Sequence, residues 1–185
     1  MVPCISLYNF IQRSRRIVHI RHHAANVDEV SIGGAAALRA YKDYAGAGLQ
    51  EEIPFLGVGM QYIRFAREEP ELYRLLFLTQ EQGQESLAVR SMRHLQELVR
   101  PSLMNIYRIT AEEADVYFRD MWLAAHSIST LIVTGSCPYS DLDIGQILTG
   151  FSVGICKAIK EIPGFASGSY DRDAVFHALV DKKKG

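Results

Sequence analysis

Two side chains with chemical capacity stand four residues apart in the segment at 120–135, DMWLAAHSISTLIVTG. They are Trp122, the only tryptophan of the chain, and His126. An imidazole can act as acid, base or ligand near neutral pH. An indole offers one N–H donor on a large apolar surface. On a helix the two are one turn apart, so their rings are neighbours. In an otherwise mostly apolar segment they fit three roles: a catalytic pair, part of a ligand-binding wall, or core residues with satisfied polar atoms.

Other residues with chemical potential are weaker. His19, His22 and His23 lie together with Asp28 nearby, and imidazole is a common transition-metal ligand. No second cluster at ligand spacing accompanies them, and arginines are their neighbours, so neither a metal nor a cofactor is expected. The pairs Glu51–Glu52, Glu68–Glu69 and Glu112–Glu113 fall at expected helix ends. Solvated end charges explain them better than acid–base catalysis does. No GxSxG, P-loop or GxGxxG pattern occurs, and GVG at 57–59 sits in a helix interior. Cys4, Cys137 and Cys156 are odd in number and lack CxxC spacing. That argues against a disulfide framework and for a reducing, cytoplasmic setting. Cys156, between Ile155 and Lys157, is expected to be a buried, inert thiol. The chain is not expected to be an enzyme.

The chain has 185 residues, 48% of them hydrophobic and 22% charged, which are the proportions of an ordinary globular domain. A net charge of −1 excludes an electrostatic nucleic-acid binder over the whole chain. Charge is uneven, however. Arg13, Arg15, Arg16 and Arg21 precede the first acid, Asp28, after which acids outnumber bases through Glu113. Such an end suits a local contact with phosphates, or is a solvated terminus. No run of ~18 apolar residues is present, so no membrane partner is expected. The N-terminus passes from apolar to QRSRR, the reverse order of a secretory signal.

The elements that must position these residues are helices. Ala-rich spacing predicts one over 28–44, with GAG at 46–48 as its stop. In IPFLGVGMQYIRFAREEP, Phe55, Val58, Tyr62 and Phe65 line one face and Leu56, Met60 and Ile63 another, which predicts a central, buried helix. Pro70 closes it and opens a short helix over PELYRLLFL. A long amphipathic stretch follows at 86–107, which Pro101 is expected to kink or divide. Thr110 and Glu113 form a capping-box pattern for a helix reaching about Thr134, before Gly135. Ser140 or Asp141 caps the last long helix, to about Ile162. The tail around DKKKG is a short helix or frayed end. Strand alternation and internal repeats are absent from the pattern, so the fold class is all-α.

The last two long helices carry more apolar surface than one core needs. Tyr117, Met121, Ala124, Ile128 and Leu131 form one stripe; Phe118, Trp122, Ala125, Ser129 and Ile132 form a second. Ile144, Ile147, Phe151, Ile155 and Ile159 form a continuous stripe on the final helix, with Gly150 and Gly154 beside it. Either both are core helices of a monomer, or they build a two-fold, four-helix homodimer interface. The interface candidates are Ile128, Leu131, Ile132, Ile147, Phe151, Ile155 and Ile159.

Three segments in this order resemble the TetR family of bacterial transcriptional repressors: GVGMQYIRFAREEPELYRLLF at 57–77, TAEEADVYFRDMWLAAHSISTLIVTG at 110–135, and LDIGQILTGFSVGICKAI at 142–159. Many members carry Trp, three residues, then His-Gly in the second; here Ser127 takes the Gly position. The resemblance implies a TetR-like C-terminal helical bundle whose last two long helices pair across a dimer. It divides the chain into a ligand-sensing and dimerisation domain at 28–164 and a C-terminal tail at 165–185. Residues 1–27 are then a remnant or truncated DNA-binding head, because three helices with turns need ~35 residues. In that head SLYNFI resembles the end of the family's recognition helix, with Tyr8 as the phosphate-contacting tyrosine and Arg13, Arg15 and Arg16 nearby. In the other register, HIRHHAANVDEV resembles the same end, with Asn26 as an N-cap.

The implied function is a ligand-responsive repressor that binds DNA through an N-terminal helix-turn-helix. Its effector is expected to be a small apolar molecule in a pocket lined by Met60, Tyr62, Phe65, Phe77, Leu103, Tyr107, Trp122 and His126. The alternative is a helical, dimerising small-molecule-binding protein without DNA binding.

Overall fold

Short side-chain caps set the helix boundaries. A computed structural model of the chain describes residues 27–52, 54–79 and 86–181, with side chains from Gly33 to Val180. Among the described residues seven α-helices follow in chain order: α1 Val27–Gly48, α2 Pro54–Glu68, α3 Pro70–Tyr73, α4 Leu87–Tyr107, α5 Ala111–Val133, α6 Asp141–Glu161 and α7 Arg172–Asp181. Among the described residues there is no strand. Thr110 accepts from the Glu113 N–H while the Glu113 carboxylate accepts from the Thr110 N–H, which closes the expected capping box on α5. Ser140 and Asp143 repeat the device on α6. Gly135, at φ +71°, ends α5.

α2 is the central helix, packed on α1 and α5 and touching α4. It buries Val58, Tyr62, Ile63, Phe65 and Ala66. Its second expected face is only half inside: Ile63 is buried, whereas Leu56 and Met60 are exposed. α6 packs on α5 through Ile144, Leu148 and Ile159. Arg100 holds Asp115 with two parallel bonds, Nε to Oδ1 at 2.7 Å and NH2 to Oδ2 at 3.1 Å, and so ties α4 to α5.

One expected boundary moves. α1 does not stop before Gly46 but runs to Gly48. There it crosses α2 so closely that a Cβ on Gly48 would stand 2.5 Å from the Val58 nitrogen. Of the two expectations for Pro101, a kink or a division, the division does not occur: α4 is continuous around it. Pro101 and Glu97, whose carbonyl loses its partner, are both exposed, so water can serve the freed group. By length and composition alone α6 is long and apolar enough to cross a membrane, a test that the core helix of a soluble protein also passes. Its residues Leu142, Phe151 and Val153 are at least half exposed, whereas Ile144, Leu148 and Ile159 pack into the core.

The short helix expected over PELYRLLFL is present, but the geometry of its second half was not foreseen. α3 runs directly into a π-helical turn, Arg74–Leu78. The wider turn presents Tyr73, Leu76 and Phe77 together to the core. On its outer side Arg74 donates to the Glu71 carboxylate and to the Val133 carbonyl at the end of α5.

Candidate ligand pocket

A cavity of about 210 Å³ lies between α2, α4, α5 and α6. α2 contributes Phe55, Val58 and Tyr62; α4 contributes Leu95, Val99, Leu103 and Tyr107. α5 contributes Tyr117, Phe118, Met121 and Trp122, and α6 contributes Leu148, Thr149 and Ser152. None of the residues along its wall is charged. An ion entering it would lose its hydration without a compensating partner, so the cavity suits neutral, mostly apolar matter.

Besides the Thr149 hydroxyl, which donates to the Gly145 carbonyl, the wall carries two polar features. One is a triangle of hydroxyls: Tyr117 to Ser152 at 2.7 Å, Tyr107 to Ser152 at 3.1 Å and Tyr107 to Tyr117 at 3.2 Å. Each can donate to the next around the ring, so the triangle satisfies itself. Burial pushes the Tyr117 phenol well above its ordinary pKa, so it stays protonated. The other is Trp122. Its indole lies flat on the His126 imidazole, with centroids 4.8 Å apart and planes 10° from parallel. Its Nε1 is sealed from solvent and has no hydrogen-bond partner.

His126 stands behind that indole rather than in the wall. Its Nδ1 is 2.9 Å from both the Tyr62 and the Tyr73 hydroxyls. Burial lowers the imidazole pKa, so the ring is neutral at pH 7. One assignment satisfies both phenols. Tyr62 donates to Nδ1, and Tyr73 donates to the His126 carbonyl at 3.3 Å or to Thr130 Oγ1 at 3.2 Å. Both hydroxyls are pushed up by burial and hold their protons.

Of the expected pocket residues, Met60, Tyr62, Leu103, Tyr107 and Trp122 do line the cavity. Phe65, Phe77 and His126 do not. Phe65 is fully buried against the rings of Tyr41, Tyr44 and Tyr73. Phe77 backs Tyr62 and Trp122. Leu148, Thr149 and Ser152 were missed because the apolar stripe of α6 points to a core or to a dimer surface and not to a ligand wall. Ser152 lies one turn beyond Leu148 and two beyond Ile144, an inward-facing row that the sequence did contain.

Among the interface candidates, Ile128 and Ile159 are taken into the chain's own core. Ile132, Ile147 and Ile155 are partly buried, while Leu131 and Phe151 are exposed. Tyr8, Arg13, Arg15, Arg16 and the cluster of His19, His22 and His23 lie outside the described residues. Among the described residues, no group of three or more His, Cys, Asp or Glu could hold a metal ion. Cys156 is only partly buried, and burial raises its pKa, which keeps it a thiol. Glu68 is bound by Arg64 and Tyr44, and these bonds hold its carboxyl below the usual range.

The model of a family described as "Tetracyclin repressor-like, C-terminal domain" matches residues 55–149, just over half of the chain. The chain belongs to this family. No curated protein and no solved structure matches it. The tetracyclin repressor-like match begins at the start of α2 and ends within α6, and every cavity residue except Ser152 falls inside it. Regulators of this family are not catalysts.

Proposed function

We propose that the chain is a ligand-responsive transcriptional regulator of the repressor type. The observation that supports this best is the uncharged, aromatic-walled cavity inside the tetracyclin repressor-like domain. A small apolar molecule occupies it. Two copies pair through the exposed face of α6 and the adjoining part of α5, where Leu131, Leu142, Phe151 and Val153 lie bare. DNA is held by the N-terminal head, with Tyr8, Arg13, Arg15 and Arg16 on phosphates. The signal is the ligand's preference for one conformation of the pair, since equal affinity for both would shift nothing.

A mobility shift with the DNA upstream of the protein's own coding sequence tests the reading. Retardation at low salt that weakens steeply as salt rises is expected. A chain that binds ligand and pairs but never retards this DNA at low salt would be the dimerising binder without DNA recognition, and would overturn the repressor assignment.

A further inference from the structure

The wall of the cavity limits how a ligand can lie in it. Each hydroxyl of the described wall has its hydrogen committed. Tyr107, Tyr117 and Ser152 donate around their triangle, Tyr62 donates to His126, and Thr149 donates to the Gly145 carbonyl. The Trp122 N–H is sealed off and reaches nothing in the cavity. A hydroxyl, ether or carbonyl oxygen brought inside therefore loses its water and gains a donor only by breaking a bond already made. The cavity does meet water on one side. Its lining residues on α4 and α5 are buried or partly buried, whereas Leu56, Met60 and Thr149 are exposed. The same three residues border an open groove between α2 and α6, to which Asp141 and Gln146 add polar side chains. They form the mouth of the cavity.

We infer that the cavity takes an amphiphile with one polar end, its hydrocarbon end inside and its polar end in the mouth between α2 and α6. Scaled from the ~150 Å³ that holds the six carbons of benzene, a volume of about 210 Å³ takes a chain of about eight carbons. The inference rests on the reading of the cavity as a ligand site. It excludes a molecule that is polar at both ends, and it allows a bulky polar end, which stays in water.

Probes that share one chain separate these cases: n-octanol, octyl glucoside below its micellar concentration, and the octane diol with a hydroxyl at each end. Calorimetry at neutral pH should find octyl glucoside within about fivefold of octanol, because its sugar keeps its water. The diol should bind at least ~10-fold more weakly than octanol, since its second hydroxyl is buried unpaired. Gly145 borders the groove but not the cavity, and a Cβ on it meets nothing within 4 Å. Gly145→Leu should therefore keep the fold, leave octanol unchanged, and weaken octyl glucoside at least ~10-fold by filling the place of the sugar. A greater loss for octyl glucoside in the wild type, with octanol bound, would overturn the outward polar end while leaving the cavity a ligand site. A diol bound as tightly as octanol would overturn the apolar interior. These two comparisons need no variant. Octyl glucoside unaffected by Gly145→Leu would overturn the mouth between α2 and α6. Failure of all the probes to bind would overturn the ligand site itself.

Discussion

His126 Nδ1 stands 2.9 Å from two phenols and accepts from that of Tyr62, and its stack with Trp122 fixes a wall of the cavity. Burial depresses its pKa in the folded chain, so the unfolded chain binds more protons as pH falls below the ordinary imidazole value of about 6.5. The stability linked to this group is therefore complete above that value and is lost as pH falls toward the depressed one. Urea titrations at neutral pH and at pH values below 6 should show wild type losing stability more steeply than His126→Gln. An identical slope in both would mean that this imidazole does not drive the loss. The adjacency of Trp122 and His126 was legible in the sequence, because four residues make one helical turn. Their division of labour was not. That depends on Tyr73, which reaches the imidazole from 53 residues away.

At the scale of elements, the caps were the most legible features, since Thr110–Glu113 and Ser140–Asp143 act within one turn. Crossings between helices were not. Gly48 and Gly57 looked like a helix stop and an interior glycine, yet they meet backbone to backbone where α1 crosses α2. A Cβ on Gly57 would stand 2.6 Å from the Glu51 Cγ as well as against the Gly48 carbonyl. Backbone cannot yield as a side-chain tip can, so Gly57→Ala should destabilise by about 1–3 kcal/mol. Chemical denaturation checks this, and Gly59→Ala, where a Cβ meets nothing within 4 Å, is the control. That Pro101 does not divide α4 was not legible for a similar reason. Its cost depends on whether the freed carbonyl faces solvent, which a helical pattern does not state.

For the whole molecule, the all-α class followed from apolar spacing and from the lack of strand alternation. The partition of α6 between inside and outside did not, because its apolar residues run all the way round. The structure sorts them. Ile144, Leu148 and Ile159 face inward, whereas Leu142 is 72% exposed and Phe151 and Val153 are each 51% exposed. On the proposed two-fold pairing, Phe151→Glu should convert a dimer into a monomer in sedimentation, with helix content unchanged. A wild-type monomer at micromolar concentration would remove the basis for that pairing.

The same helix supplies Thr149 and Ser152 to the cavity and Phe151 to the open face, so consecutive residues look in opposite directions. On the proposed function α6 is therefore a partition with a tenant on one side and a neighbour on the other. Whatever shifts it by occupying one room is felt in the next. By reciprocity, the neighbour's arrival alters the tenant's hold by the same factor. The affinity for ligand then depends on how much protein the cell contains, and dilution alone would tune the sensor.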